Sequence, residues 1–170
     1  MGPGLAISQF SERKFEIRCL TPIVESAFLV SGLEQFSHGQ VRKRGSSPKL
    51  VLWNNALINA LAHRSKKETF ADPVWWGRLV ENAVGAHFLN ELAGPHQTLA
   101  YWRDGNSEVD FVLTLGKQAH TIEVKSGLPR KLTGMSAFKK RYPAAQSLIV
   151  GGSGIPLEDF FSKPALSWVM

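Results

Sequence analysis

The chain has 170 residues, 44% of them hydrophobic, which is enough for one substantial core but too few for two full-sized domains. Its 20 Lys and Arg against 14 Asp and Glu give a formal charge of +6, the sign expected of a protein that approaches phosphate backbones. The single cysteine excludes an intrachain disulfide framework and an all-cysteine zinc site. Because there is no apolar run of membrane-spanning length and no signal-peptide pattern, we expect a cytoplasmic protein with no membrane partner.

The first part of the chain has the pattern of a small winged-helix-like α+β subdomain over residues 20–72. Residues 1–19 are expected to be a tail, with a weak strand from Lys14 to Arg18. A helix is predicted from Pro22, and Gly32 is expected to end it. The segments that follow are a strand, a polar loop, a second strand, a short helix and a polar connector, at Leu33–Phe36, His38–Lys49, Lys49–Trp53, Asn54–Ala62 and Ser65–Asp72.

The loop between these two strands carries three consecutive basic residues, Arg42, Lys43 and Arg44. As the wing of a winged helix, this loop would lie along a DNA backbone. As the solvated tip of a charged hairpin, it would need no partner. Both interpretations fit the sequence. Pro73 marks the candidate boundary with the second domain, residues 73–170.

The second domain is more strongly patterned. Apolar residues recur near every 3.6 positions over Val74–Leu92, which predicts a long amphipathic helix that ends before Gly94. Three strands separated by turn signals then predict an antiparallel meander, and a helix followed by one more strand predicts a parallel addition to the same sheet. The predicted strands are Leu99–Arg103, Glu108–Leu115, Ala119–Lys125 and Gln146–Val150, with the helix at Gly134–Arg141 and a terminal loop after Gly151. This order predicts an α/β fold with a mixed sheet flanked by helices.

Polar residues interrupt two of the predicted strands at corresponding positions. Glu123 and Lys125 are two residues apart and share one face of their strand, and Asp110 lies close to the register of Glu123 on the preceding strand. A core that needed only stability would place an aliphatic side chain at each position, with a gain of about 1.5–3 kcal/mol. The presence of Asp110, Glu123 and Lys125 at these positions therefore requires an explanation other than core stability.

Two reasons compete. Lys125 can form an ion pair with Asp110 or Glu123 on an exposed sheet face, which contributes about 0–1 kcal/mol. Alternatively, Asp110 and Glu123 supply the oxygen ligands that Mg²⁺ prefers, and Lys125 orients a water and offsets transition-state charge. Glu81 lies at the border of the apolar stripe of the long helix, where it is either solvent-exposed or a further site residue.

In this order, Glu81, Asp110 and the run Glu123-Val124-Lys125 resemble the PD-(D/E)XK nuclease superfamily, which has the restriction-endonuclease-like fold. Longer segments look like the C-terminal domain of unknown function that follows AAA-type ATPase modules in bacteria and archaea. These segments are Trp76–Asn82, Tyr101–Arg103, Glu108–Leu113, Ile122–Ser126 and Phe138–Pro143. The resemblance extends over about residues 20–150 and is more specific in the second half. Where that family tends to have Asp and Gly, this chain has Asn54-Asn55-Ala56.

The resemblance implies that Asp110 and Glu123 are ligands of Mg²⁺ or Mn²⁺, that Lys125 is catalytic, and that Glu81 supports the metal or its water. It implies a nuclease-like domain that acts on or binds DNA. No G-x-x-x-x-G-K-[S/T] motif occurs, so the chain is not an ATPase by itself. The alternative is a catalytically inactive DNA-binding or protein-interaction module, which serves a separately encoded ATPase or another protein.

A second basic cluster, Lys139, Lys140 and Arg141, falls at the end of a predicted helix. Lys139 and Lys140 are candidate contacts to a DNA backbone. A solvated helix end, favoured by the helix dipole, explains the same residues without a partner.

Overall fold

The described part of the chain comprises residues 29–37, 47–127 and 133–170 of a computed structural model. Its elements are β1 (Val30–Leu33), β2 (Lys49–Leu52), α1 (Asn55–Leu61), α2 (Lys66–Ala71), α3 (Pro73–Leu89), β3 (Gln97–Asp104), β4 (Ser107–Leu115), β5 (Gln118–Lys125), α4 (Thr133–Arg141), β6 (Gln146–Gly151), α5 (Leu157–Phe161) and a 3₁₀ helix (Ala165–Trp168). No helix within these ranges is both long and apolar enough to cross a lipid bilayer.

The main sheet has four strands in the order β3-β4-β5-β6. The first three form an antiparallel meander, and β6 pairs in parallel with β5 after the crossover through α4. A parallel neighbour requires such a crossover because the chain must return to the starting end of the sheet. The predicted mixed sheet flanked by helices is therefore confirmed, with each predicted strand within two residues of its observed bounds.

A β-bulge interrupts β4 at the position of Asp110. The pairs Ala100↔Val112 and Trp102↔Val109 leave one residue of β3, Tyr101, opposite two residues of β4, Asp110 and Phe111. Asp110 consequently has no partner in the register of either neighbouring strand. Bulges change the direction in which side chains leave a strand and are common beside active sites.

The sheet has a hydrophobic core on each face. Buried residues of α3 pack on the first face against β4 and β5, and residues of α4 pack on the second. The first core includes Val84, Phe88, Phe111, Leu113 and Ile122, and the second includes Trp102, Val109, Val112, Met135 and Phe138. Gly85 permits the close approach of α3, because a Cβ at this position would lie 2.8 Å from Cζ of Phe111.

Strands β1 and β2 form a separate antiparallel pair, and the segment that follows β1 bridges to the β3 edge of the main sheet. The N–H of Tyr101 donates to the carbonyl of Glu34, and the N–H of Phe36 donates to the carbonyl of Tyr101. The segment after β1 thus covers part of an otherwise open strand edge. On the other side, Asn82 of α3 accepts from the N–H of Leu52 and donates to its carbonyl.

Four local predictions are wrong. Residues Val30–Leu33 form a strand paired with β2, so no helix extends to Gly32, and the strand predicted at Leu33–Phe36 begins earlier. The connector before Pro73 contains α2, because Ser65 and Glu68 cap each other's backbone N–H groups in a capping box. The expected terminal loop contains α5 and the 3₁₀ helix, whose first N–H groups donate to the carboxylate of Glu91.

Other predictions concern residues outside the described ranges. These are the tail 1–19, the strand Lys14–Arg18, the start of the helix at Pro22, and the basic cluster Arg42, Lys43 and Arg44. The domain boundary at Pro73 stays a prediction, although α3 contacts the β1–β2 pair directly through Asn82.

Candidate active site

Asp110 lies where β4 and β5 stop pairing. The last register pair between these strands is Phe111↔Ile122. Beyond this pair, Oδ2 of Asp110 accepts a hydrogen bond of 2.8 Å from the N–H of Val124. The carboxylate thus bridges from the middle of β4 to the last residues of β5, where no ladder pair joins the two strands.

Glu123 and Lys125 project together from the end of β5. Nζ of Lys125 donates to Oε1 of Glu123 at 2.5 Å, and each side chain is only 12% exposed. Ile122 and Val124 pack in the core beside α3, so the two charged side chains point to the other side of the strand. This confirms the predicted alternation along β5.

The second oxygen of Glu123 is the unusual atom of this pair. Oε2 is buried and has no hydrogen-bond partner among the described residues. A buried carboxylate oxygen without a partner is costly, since the protein interior does not replace the water that it loses. The atom therefore marks a position where a cation or an ordered water would be stabilising.

Glu81 approaches Asp110 from α3 and is held by a lysine that our sequence analysis did not select. Nζ of Lys49 lies 2.5 Å from Oε1 of Glu81 and donates to the backbone carbonyl of Asp110 at 3.0 Å. It also lies 4.6 Å from the ring centroid of Phe111. Lys49 begins β2, so the β1–β2 pair contributes a cation to the site.

A signal for Lys49 was present in the sequence. Residues 49 and 51 share a strand face, and Val51 is 1% exposed in the core. A lysine on the buried face of a strand requires a nearby acceptor. The acceptors are more than thirty positions away in sequence, so the strand pattern alone indicates a buried lysine without identifying its partner.

The three carboxylates interact electrostatically around Asp110. Burial raises the pKa of Asp110 to about 7, and repulsion from Glu81 and from Glu123 adds to this effect. The charge of Lys49 and the hydrogen bond from Val124 act in the opposite direction. Two neighbouring acids thus favour the protonated form of a third, as in other carboxylate clusters.

Glu81, Asp110 and Glu123 do not form a compact three-ligand set. Within residues 29–37, 47–127 and 133–170, no group of three Asp, Glu, His or Cys side chains is arranged to hold a metal ion. Instead, Asp110 lies between two acids that each have a lysine partner, Lys49 for Glu81 and Lys125 for Glu123.

A glycine turn at the end of β6 packs against Lys125. Gly151 and Gly152 have φ values of 76° and 59° at the end of β6, a conformation that side chains other than glycine rarely adopt. A Cβ at Gly152 would lie 2.9 Å from Cβ of Lys125, and a Cβ at Gly151 would collide with the Lys125 carbonyl oxygen. These glycines let β6 approach the backbone of Lys125.

The other residues singled out in the sequence have different surroundings. Lys139 and Lys140 are exposed in the last turn of α4. Asn54 caps α1 by accepting from the N–H of Ala56, and Asn55 donates to the carbonyl of Leu79 on α3. The Asn-Asn turn thus attaches α1 to α3 and has a structural function.

A pocket of about 260 Å³ adjoins the Lys49–Glu81 pair. Trp75, Leu79 and Phe111 form part of its apolar wall, and Arg78 adds an exposed guanidinium. Open space therefore reaches Lys49 and Glu81 from the side of α3.

The chain was compared with known protein families, curated proteins and solved structures. Residues 76–160, half of the chain, match the family described as Domain of unknown function (DUF4143), a type of domain that occurs with AAA-type ATPases. No curated protein and no solved structure matches the chain. The matched region contains Glu81, Asp110, Glu123 and Lys125. It begins at residue 76 and so does not include Lys49. On this evidence the chain belongs to the DUF4143 family, whose function is unknown.

Proposed function

We propose that this domain is a divalent-metal-dependent nuclease-like domain that acts on DNA, with a restriction-endonuclease-like fold. The observation that carries the proposal is that Asp110 accepts from the N–H of Val124, the residue between the ion-paired Glu123 and Lys125, and is close enough to Glu123 for the two carboxylates to repel each other. The partnerless buried oxygen of Glu123 is part of the same observation. Acids and a lysine in this order along β4 and β5 are also what the PD-(D/E)XK superfamily resemblance implies.

The donor chemistry fits a hard cation. Asp110 and Glu123 are the residues that would hold Mg²⁺ or Mn²⁺, because carboxylate oxygens are the ligands that these ions prefer. A bound cation would give Glu123 Oε2 the partner that it lacks. It would also favour the ionised form of Asp110, whose pKa is otherwise raised. When bound, such an ion polarises a phosphoryl oxygen and lowers the pKa of a coordinated water.

Lys125 and Glu81 would then have separate roles in catalysis. Lys125, held by Glu123, would orient the attacking water and offset charge that develops on the phosphoryl group. Glu81, near Asp110, would hold a water in the outer coordination shell. The rigid ends of β4 and β5 would keep these groups in one geometry.

DNA is the proposed partner because the chain is basic and its candidate contacts are directed at phosphates. Its formal charge is +6, and Lys139 and Lys140 are exposed. The basic cluster Arg42, Lys43 and Arg44 would add contacts from outside the described residues. Such binding should weaken steeply with salt and depend little on base sequence. A slope near zero in log K against log salt concentration would remove DNA from the proposal.

One observation favours a second candidate, an inactive module that binds DNA or a protein such as a separately encoded ATPase. Glu81 and Glu123 each have a lysine partner already, and the described residues contain no three-ligand metal group. The cluster is thus close to charge balance without a cation. Domains of this family occur with AAA-type ATPases, which makes an ATPase the first protein partner to test.

The two candidates differ in a cleavage experiment. Plasmid, single-stranded and branched DNA are incubated with the full chain in Mg²⁺ or Mn²⁺ and analysed on gels. The nuclease candidate predicts cleavage that Lys125→Met lowers about 100-fold or more in single turnover, while Lys117→Met, an exposed lysine in the β4–β5 turn, retains it. Binding without cleavage of any of these substrates would favour the inactive module.

A further inference from the structure

Lys49 joins three parts of the structure at one ammonium group. It belongs to β2, forms an ion pair of 2.5 Å with Glu81 of α3, and donates at 3.0 Å to the carbonyl of Asp110 in β4. The side chains of Lys49 and Glu81 are 20% and 32% exposed. This partial burial strengthens the pair relative to one on the open surface.

The hydrogen bond to Asp110 has a particular consequence because of the bulge. Asp110 is the residue of β4 that has no register partner in β3 or β5. Lys49 therefore donates to a carbonyl at the point where the ladder is interrupted. The carboxylate of the same residue accepts from the N–H of Val124. Lys49 thus holds the backbone whose side chain bridges to β5.

We propose that Lys49 is a positioning residue of the active site, fixing Glu81 and the Asp110 bulge relative to each other. The inference rests on the proposed function as far as metal binding is concerned. It adds that the β1–β2 pair is a necessary part of the site, although the family match begins at residue 76. The competing explanation is that Lys49 only attaches β2 to the core, through its contact with the ring of Phe111.

The test uses the full chain with Lys49→Met, Glu81→Gln and the double variant, and with Lys117→Met as a control for removal of a lysine. Calorimetric titration with Mn²⁺ measures metal affinity. We expect Lys49→Met to weaken Mn²⁺ binding about tenfold or more, as for other residues that orient ligands from the outer shell. The double variant should lose less affinity than the sum of the two single losses, because Lys49 acts partly through Glu81. Additive losses in the double variant would overturn the inference.

A second readout does not depend on metal. Amide hydrogen exchange of Val124 in EDTA reports on the hydrogen bond from its N–H to Asp110. Lys49→Met should accelerate this exchange about tenfold, the factor that corresponds to losing one hydrogen bond, while Lys117→Met leaves it unchanged. If wild type binds no Mn²⁺, the proposed function fails, but Val124 exchange still decides whether Lys49 positions Asp110.

Unchanged Val124 exchange in folded Lys49→Met would overturn the inference, as would wild-type Mn²⁺ affinity in that variant. If Lys49→Met does not fold, Lys49→Gln takes its place, since an amide keeps a donor for the Asp110 carbonyl without the charge. Lys49→Gln should then weaken Mn²⁺ binding while Val124 exchange stays close to wild type. Equal Mn²⁺ affinity in Lys49→Gln and wild type would mean that Lys49 only attaches β2 to the core.

Discussion

Replacement of Asp110 by Asn should make the protein more stable at neutral and alkaline pH when no metal is present. Burial and the repulsion from Glu81 and Glu123 raise the pKa of Asp110 from 3.8 to about 7. The folded protein therefore resists ionisation of this carboxyl group. An amide avoids that cost and still offers an oxygen to the N–H of Val124, so the hydrogen bond at the end of β5 need not be lost.

The sign and size of the effect follow from proton linkage. Between pH 4 and pH 7 the folded state keeps the Asp110 proton while the unfolded state has lost it, so stability falls as the pH rises. The full interval of roughly three pH units corresponds to up to about 4 kcal/mol at 1.36 kcal/mol each. This contribution is fully present below pH 4 and lost above pH 7. Asp110→Asn has no proton to lose at this position, so its stability should not fall in this way as the pH rises.

Urea unfolding in EDTA, followed by circular dichroism at several values between pH 4 and pH 8, measures the difference in free energy between wild type and Asp110→Asn. Subtraction removes the titration of acids that do not interact with Asp110, and Asp159→Asn, an exposed acid on α5, controls for loss of a carboxylate as such. The free energy of unfolding of Asp110→Asn should increase relative to that of wild type as the pH rises. A difference that stays constant within about 0.5 kcal/mol would refute the reasoning about the cluster.

Three further outcomes are expected. Gly85→Ala should lower the free energy of unfolding by about 1–3 kcal/mol, measured in urea, because its Cβ would lie 2.8 Å from the ring of Phe111; an unchanged midpoint would mean that α3 moves away at no cost. Asn82→Ala should cost about 1–3 kcal/mol by leaving the backbone groups of Leu52 unpaired, and stability equal to wild type would show that water replaces the amide. Mn²⁺ at a hundredfold excess over its Kd should stabilise wild type by about 2.7 kcal/mol and leave Asp110→Asn unaffected in a thermal scan, whereas equal stabilisation of both would place the ion elsewhere.

Periodic features of the sheet domain could be predicted from the sequence. The meander, the crossover helix and the parallel strand follow from turn residues and from the change between periods of 3.6 and 2. The pairing of Glu123 with Lys125 follows from their spacing on β5. These features depend on neighbours along the chain, and local patterns describe such neighbours well.

Features that depend on distant contacts could not be predicted. The bulge at Asp110 is visible only once the register of β3 and β4 is known, and the partners of Lys49 are 32 and 61 positions away from it. The helix α2 was missed for a different reason, because the polar residues that suggested a loop are those of a capping box. The signature of this helix in the sequence is Ser65 followed three positions later by Glu68.

The glycine turn at the end of β6 limits how Lys125 can move. With Gly151 and Gly152 pressed against its backbone and β6 paired alongside up to Lys125↔Gly151, the main chain at this lysine has little room for displacement. Any travel of the ammonium group away from Glu123 must then come from rotation about its own side-chain bonds. Because Lys125 is only 12% exposed and donates to Glu123, such a rotation has to break this ion pair first.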